Sequence, residues 1–137
     1  MFVNYLYHIT RAENLNSILE NGLGSYAGNG INMDLAVSNK VFTIDYDPLP
    51  FLLKTHPIIT NNDAEKNYIA YLICNLLLYR SPIIDLAIIK INVEMLDKQK
   101  LVKDPHPQEK FVYIYYDVIP EVCFTYEILE FHKSNVS

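Results

Sequence analysis

The spacing of apolar and polar positions along the chain predicts five short strands. Residues 2–9 and 41–46 are rich in β-branched and aromatic side chains and are followed by capping or turn-forming residues, which is typical of strands. The same composition recurs late in the chain, at residues 86–93, 110–116 and 123–131. The hydrophobic pattern therefore concentrates strands in the second half of the sequence.

Two helices are predicted before the three late strands. Thr10 with Glu13 three residues later has the pattern of a capping box, and apolar residues follow at helical spacing until Gly22, a natural stop. A longer helix is predicted from about residue 64 to 79, capped by Asn61 or Asn62 and ending before Ser81-Pro82. Residues 51–55 have the composition of a further helix start.

The order of these elements predicts a single α+β domain over residues 1–137, because strands and helices do not alternate in the second half. Half of the residues are apolar or tyrosine, enough to bury a core. Residues 24–40 hold three of the four glycines and predict a connector or a lid. They contain neither a dinucleotide-binding nor a P-loop motif.

The net charge and the two cysteines argue against several kinds of binding site. The formal net charge is -5 and the eleven Lys and Arg residues are scattered, which disfavours binding of duplex DNA. Cys74 and Cys123 stand in apolar surroundings without a second ligand at metal spacing, so no metal site is predicted. No signal-peptide or membrane-span pattern is present, and a cytoplasmic location is expected.

The segment LYHITRAENLNSILENGL, residues 6–23, resembles the opening of ADP-ribosyltransferase-like domains, most closely the DNA-targeting toxin family called DarT. In that family, a strand ending in H-x-T leads into a helix of the pattern N-L-x-S-I-L-x-x-G-L. The matching residues are His8, Thr10, Asn14, Leu15, Ser17, Ile18, Leu19, Gly22 and Leu23.

Two further segments support the resemblance. The C-terminal third is similar to a family pattern in which an apolar strand is followed by a lysine-rich connector, a Glu that opens a strand, and an I-P-x-E turn; Glu109 and Ile119-Pro120-Glu121 match it. The segment VFTIDYDP stands where the family has an aromatic-containing strand that flanks nicotinamide. Its candidate residues are Phe42, Thr43 and Tyr46.

The resemblance implies that NAD, as a substrate, lies in a cleft between a split pair of small β-sheets, with helices mainly in the N-terminal half. His8 and Thr10 would bind the ribose and adenine side, and Tyr46 or Phe42 would stack on nicotinamide. Glu109 would stabilise the oxocarbenium character that develops as the glycosidic bond breaks. Residues 24–40 could close over the site.

Each of these residues also has an ordinary structural interpretation. Glu109 could be an ordinary solvated residue, and Glu121 and Glu127 are rival carboxylates. Thr10 could be a helix cap and Tyr46 the end of a strand. Pro107 replaces the Gln or Glu that protein-modifying members carry two residues before the catalytic Glu, which disfavours protein-arginine acceptors.

The resemblance thus implies an NAD-dependent ADP-ribosyltransferase of toxin, effector or phage-conflict type. Its acceptor, whether a nucleic acid base, a protein or a small molecule, stays open. The RNA 2′-phosphotransferases share this fold but rely on several arginines around the site. That activity is disfavoured, because the chain has only Arg11 and Arg80. The alternative is a catalytically silent member of the fold that binds a nucleotide or inhibits a protein partner.

Overall fold

The computed structural model describes residues 3–24, 36–37, 40–52, 61–78, 81–103 and 111–132. The strands are β1 Tyr5–Arg11, β2 Ala36–Val37, β3 Lys40–Ile44, β4 Ile83–Asn92, β5 Leu101–Lys103, β6 Val112–Tyr115 and β7 Phe124–His132. The α-helices are α1 Leu15–Asn21, α2 Leu49–Leu52 and α3 Asn61–Leu78. Short 3-10 helices cover Ala12–Asn14, Val93–Met95, Lys98–Lys100 and Glu121–Cys123.

The seven strands form one antiparallel sheet in the order β5-β6-β3-β1-β4-β7, and β2 pairs with β3 beside this path. β4 pairs with β1 over seven residue pairs and with β7 over nine. By contrast, β1 and β3 share the single pair Tyr7 and Ile44. The sheet therefore has two well-paired halves with a narrow connection between them.

Each face of the sheet packs against a different helix, and we name the faces by these helices. On the α1 face, Leu6 and Ile89 pack with Ile18 of the helix. On the α3 face, Ile9 and Ile88 pack with a helix stripe that has near-helical spacing: Ala70, Cys74, Leu77 and Leu78. The period of two along β1 sends Leu6, His8 and Thr10 to the α1 face.

The fold class is α+β, as the sequence predicts. All three described α-helices precede β4, and four of the seven strands follow α3. The predicted helix end at Gly22 is confirmed: its backbone has φ +91° and its N–H donates to the Ile18 carbonyl at 2.8 Å.

The predicted capping role of Thr10 is wrong. β1 continues through Thr10 to Arg11, Ala12–Asn14 form a 3-10 helix, and α1 begins only at Leu15. The reason is pairing over a long sequence distance, because Thr10 and Arg11 pair with Ala87 and Leu86 of β4. The ladder extends the strand past the residues whose local pattern favours a helix start.

Candidate functional site

Three polar side chains are buried on the α1 face of the sheet. His8 is 2% exposed, Thr10 0% and Thr43 2%. They are the buried polar or charged residues in the part of the chain that the structure describes, apart from tyrosine and cysteine. Burying a polar group costs free energy unless it forms hydrogen bonds, so each of these side chains is expected to have a hydrogen-bond partner. We call these three residues the polar row.

His8 lies where β1 and β3 separate. Its Nδ1 atom is 2.8 Å from the carbonyl oxygen of Phe42, and because a carbonyl can only accept, Nδ1 carries the proton. β3 pairs with β2 at Lys40 and Val41 and with β1 at Ile44. The imidazole thus binds the β3 backbone between the residues that pair with β2 and the residue that pairs with β1.

Thr10 and Thr43 use their hydroxyl groups differently. Thr10 Oγ1 accepts a hydrogen bond from Asn14 Nδ2 at 3.1 Å, which ties β1 to the 3-10 helix before α1. Thr43 Oγ1 donates to the Tyr113 carbonyl at 2.9 Å, within the β3–β6 ladder. The polar row therefore connects both halves of the sheet and the start of α1.

Tyr46 lies away from the polar row, in the hydrophobic cluster on the α3 face. Its ring makes edge contacts with Phe51 and Phe111, at centroid distances of 5.7 and 5.4 Å, and its hydroxyl donates to the Lys66 carbonyl at 2.8 Å. Burial raises the pKa of Tyr46 well above 10. These contacts fix the ring in the core.

Phe42 also lies on the α3 face, because it alternates with Val41 and Thr43 along β3. It is half-buried, and the Lys40 Nζ atom lies 5.2 Å from its ring centroid. Of the five residues predicted to bind NAD, the structure therefore brings together His8, Thr10 and Thr43. It holds Phe42 and Tyr46 on the opposite face.

The predicted catalytic residue Glu109 lies outside the described residues. Of its two rivals, Glu121 is exposed in the 3-10 helix before β7. Glu127 is exposed on β7 and stands opposite Ile88, on the α3 face. Neither rival shares the sheet face and position of His8.

The sequence did not single out Asp45, which follows β3 directly. Burial raises the pKa of this carboxyl, against the opposing effect of Lys103 and Lys66. Its backbone N–H donates to the Phe111 carbonyl at 2.9 Å. An acidic residue at a strand end is the sequence signal for this site, but the turn-forming pair Asp47-Pro48 follows it closely and predicts only a turn.

Arg11 is the second residue whose role the pattern missed. Its side chain, 11% exposed, lies on the α3 face, where Nε donates to the Leu77 carbonyl at 2.8 Å. Leu77 belongs to the last turn of α3, whose carbonyls carry partial negative charge. Arg11 therefore anchors the end of α3 to β1.

Access limits what the polar row can bind. With His8, Thr10 and Thr43 each at most 2% exposed, a ligand reaches them only after the α1 face opens around them. Most of the predicted lid falls on residues 25–35 and 38–39, outside the described residues. The polar row is thus a preformed hydrogen-bonding group behind a closed surface.

Comparison with models of protein families and with curated proteins finds no match for this chain. In the described segments, no group of three or more His, Cys, Asp or Glu side chains could hold a metal ion. None of the described helices is both long and apolar enough to cross a membrane.

Proposed function

We propose that this protein is an NAD-dependent ADP-ribosyltransferase with an ADP-ribosyltransferase-like fold. One observation carries the proposal. The three polar residues that the resemblance assigns to NAD are the three that the described structure buries on one face of its sheet. Burial of a polar side chain costs free energy that its hydrogen bonds must offset, so the grouping of three such side chains on one sheet face favours a binding role.

The position of the polar row supports the proposal as well. It lies where β1 and β3 share only the pair Tyr7 and Ile44, the one narrow connection in the described sheet. A separation of these strands needs the loss of few backbone hydrogen bonds, and it exposes His8 and Thr43 together. The ligand site of the proposed fold is likewise a cleft between two small sheets.

In the proposed reaction, the bond between nicotinamide and the ribose C1′ breaks and nicotinamide leaves with the bonding electrons. The nucleophilic atom of the acceptor forms the new bond to C1′ and releases its proton to the solvent. Glu109 stabilises the positive charge that develops on the ribose, as a carboxylate does in a glycosidase. His8 and Thr10 hold the adenine and ribose side of NAD.

A specific observation favours the alternative, a silent member of the fold that binds a nucleotide or a protein. Tyr46, a candidate for stacking on nicotinamide, is held in the core on the α3 face, with its hydroxyl bonded to α3. Phe42 is the remaining aromatic candidate and is only half-buried. A protein with this arrangement could bind the adenine side of a nucleotide and never cleave it.

The experiment that separates the two is NAD binding and nicotinamide release by the wild type, Glu109→Gln and Glu94→Gln. Glu94 is exposed in the 3-10 helix after β4 and is the matched carboxylate control. If the protein is a transferase, Glu109→Gln should lower the rate of nicotinamide release by roughly 100-fold or more, and Glu94→Gln should leave it unchanged. Binding without release supports the silent alternative, and absence of NAD binding contradicts the transferase and leaves only the alternative that binds a protein partner.

A further inference from the structure

The outer edge of β7 is the longest unpaired strand edge in the described sheet. β7 pairs with β4 over nine residues, and no described strand takes its other side. At the opposite end of the sheet, β5 has only three residues, and Lys103 is one of them. Short length and lysine protect a sheet edge from adding strands, and β7 has neither protection.

Large apolar side chains are exposed beside this edge on the α1 face. Tyr126 is 43% and Ile128 is 58% exposed on β7, and Ile83 of β4 is 45% exposed. Tyr126 and Ile128 stand opposite Ile89 and Ala87, so all of them project from one face. Exposed apolar residues grouped along an unpaired strand mark a surface for a partner strand.

The charge pattern of the edge indicates which strand fits. Asp85 and Glu130 stand directly opposite each other on β4 and β7, and both are exposed. Like charges in such cross-strand pairs repel, and His132 Nε2 lies 2.7 Å from Glu130 Oε1. Glu127 adds a third negative charge on the other face. A cation brought by the next strand would relieve this repulsion.

We infer that β7 is a docking edge for an extended segment of a partner protein whose basic and apolar residues stand in register with it. In an antiparallel arrangement, basic residues stand opposite Glu130 and Glu127, and apolar residues stand opposite Ile128, Leu129 and Tyr126. The ladder of main-chain hydrogen bonds supplies affinity, and the charges select the register. This inference does not depend on NAD binding or transfer.

A second copy of the chain meets these requirements less well. β7, with the sequence FTYEILEFH, contains no Lys or Arg, so pairing of two β7 strands brings no such cation to Asp85 or Glu130. It would add two further glutamates to a surface that already carries three acidic residues. Charge therefore favours a different, basic partner.

The test is an NMR titration of the isotope-labelled full chain with a capped peptide centred on Lys-Val-Val-Lys-Val. The control peptide is Glu-Val-Val-Glu-Val, which has the same apolar residues and the opposite charge. We expect the lysine peptide to shift backbone amide resonances of β7, and the glutamate peptide to bind more than about fivefold weaker. The lysine peptide N-methylated at alternate residues, in the phase that faces β7, should lose binding.

Substitutions in the protein complete the test. The double variant Asp85→Asn, Glu130→Gln should weaken binding of the lysine peptide by about fivefold, whereas Glu94→Gln, in the 3-10 helix after β4, should not change it. The double variant Glu127→Lys, Glu130→Lys should prefer the glutamate peptide. Circular dichroism and the NMR spectrum of each variant establish that it folds.

Three outcomes overturn the inference. The first is equal binding of both peptides to the wild type, and the second is a set of shifted resonances that lies outside β4 and β7. The third is a concentration-dependent dimer in sedimentation that Glu127→Lys, Glu130→Lys disrupts, together with no peptide binding. This last result would assign the edge to a second copy.

Discussion

The Nδ1 atom of His8 donates to the Phe42 carbonyl over 2.8 Å, across the place where β1 and β3 have stopped pairing through their backbones. A side chain here takes the position that a ladder hydrogen bond would hold in a regular sheet. Whatever ligand the protein binds, this contact connects the two halves of the sheet. It is therefore the first contact whose energy should be measured.

Removing the donor of His8 should destabilise the fold. His8→Leu keeps an apolar side chain of similar size and leaves the Phe42 carbonyl without this bond, with an expected loss of about 2 kcal/mol in the free energy of unfolding. His8→Asn places an amide N–H near the Nδ1 position and should recover part of the loss. Urea unfolding followed by circular dichroism measures both.

The matched control is His132→Asn, because the side chain of His132 is 38% exposed and its ion-pair partner among the described residues is the exposed Glu130. Its expected change is within about 0.5 kcal/mol. If His8→Leu were as stable as the wild type, the hydrogen bond from His8 would not stabilise the fold, and packing of the side chain would be enough to explain its burial.

The sequence predicts best where local pattern and long-range pairing agree. The end of α1 at Gly22 depends on a left-handed backbone position, which glycine adopts freely, and the late strands depend on runs of β-branched residues. Thr10 shows the opposite case, because its capping pattern is local while its strand position depends on Ala87, far away in sequence. Pairing outweighed propensity there.

The candidate site was predictable only in part for a related reason. Alternation along β1 places His8 and Thr10 on one face, but the face of Tyr46 depends on its contacts with Phe51 and Phe111 after β3 has ended. Burial of Asp45 between distant elements has no local signature either. Such features arise from packing, which a single sequence does not encode in any short window.

Tyr46→Phe separates the structural role of this residue from its predicted role in NAD binding. The variant keeps the ring contacts and loses the hydrogen bond to the Lys66 carbonyl, so we expect a loss of about 1 kcal/mol in the free energy of unfolding. Because stacking on nicotinamide needs only the ring, NAD binding should stay within about twofold of the wild type.

Isothermal calorimetry with NAD and urea unfolding test the two parts separately. The companion variant Tyr46→Leu removes the ring as well as the hydroxyl. It should lower the free energy of unfolding by about 3 kcal/mol. A variant Tyr46→Phe that unfolds like the wild type but loses NAD binding would show that the hydroxyl, and not the ring, serves the ligand.

Gly22→Ala should destabilise the fold by about 2 kcal/mol. The backbone of Gly22 has φ +91°, and an added Cβ would lie 2.5 Å from Val118 Cγ1 and 3.1 Å from the Ile119 carbonyl oxygen. Both strain and contact therefore oppose the substitution. Glu20→Ala, at an exposed position of α1, is the control and should change stability by less than about 0.5 kcal/mol.

Thermal unfolding at matched protein concentration measures this difference. The bridge between Leu23 and Ile119 lies next to the substituted position, so hydrogen exchange of the Leu23 amide should accelerate in Gly22→Ala. An unchanged melting temperature with unchanged exchange would mean that the chain accommodates the methyl group by a local shift.

Asp45 and Asp117 should influence the pH dependence of stability with opposite signs. Burial raises the pKa of Asp45 above its ordinary value of 3.8, so the folded state holds this proton more tightly than the unfolded state. Asp45 therefore lowers the free energy of unfolding as pH rises from about 3.8 through its folded-state pKa, and the loss persists at neutral pH. Asp45→Asn should be more stable than the wild type at pH 7.

Asp117 accepts a hydrogen bond from the Lys100 ammonium group, which lowers the pKa of the carboxyl below 3.8. Its stabilising effect is fully present above the unfolded-state pKa and is lost as pH falls through the folded-state value. Asp117→Asn should therefore be less stable than the wild type at pH 7, by a small amount because both partners are exposed.

Urea midpoints at pH 3, 5 and 7 for the wild type and both variants test this pair. At pH 7 the midpoints should decrease in the order Asp45→Asn, wild type, Asp117→Asn, and the three should converge as falling pH protonates first Asp45 and then Asp117. If Asp45→Asn were the less stable variant at pH 7, attraction to Lys103 and Lys66 would outweigh burial. The raised pKa of Asp45 would then be wrong, and this carboxylate would be a stabilising part of the sheet end.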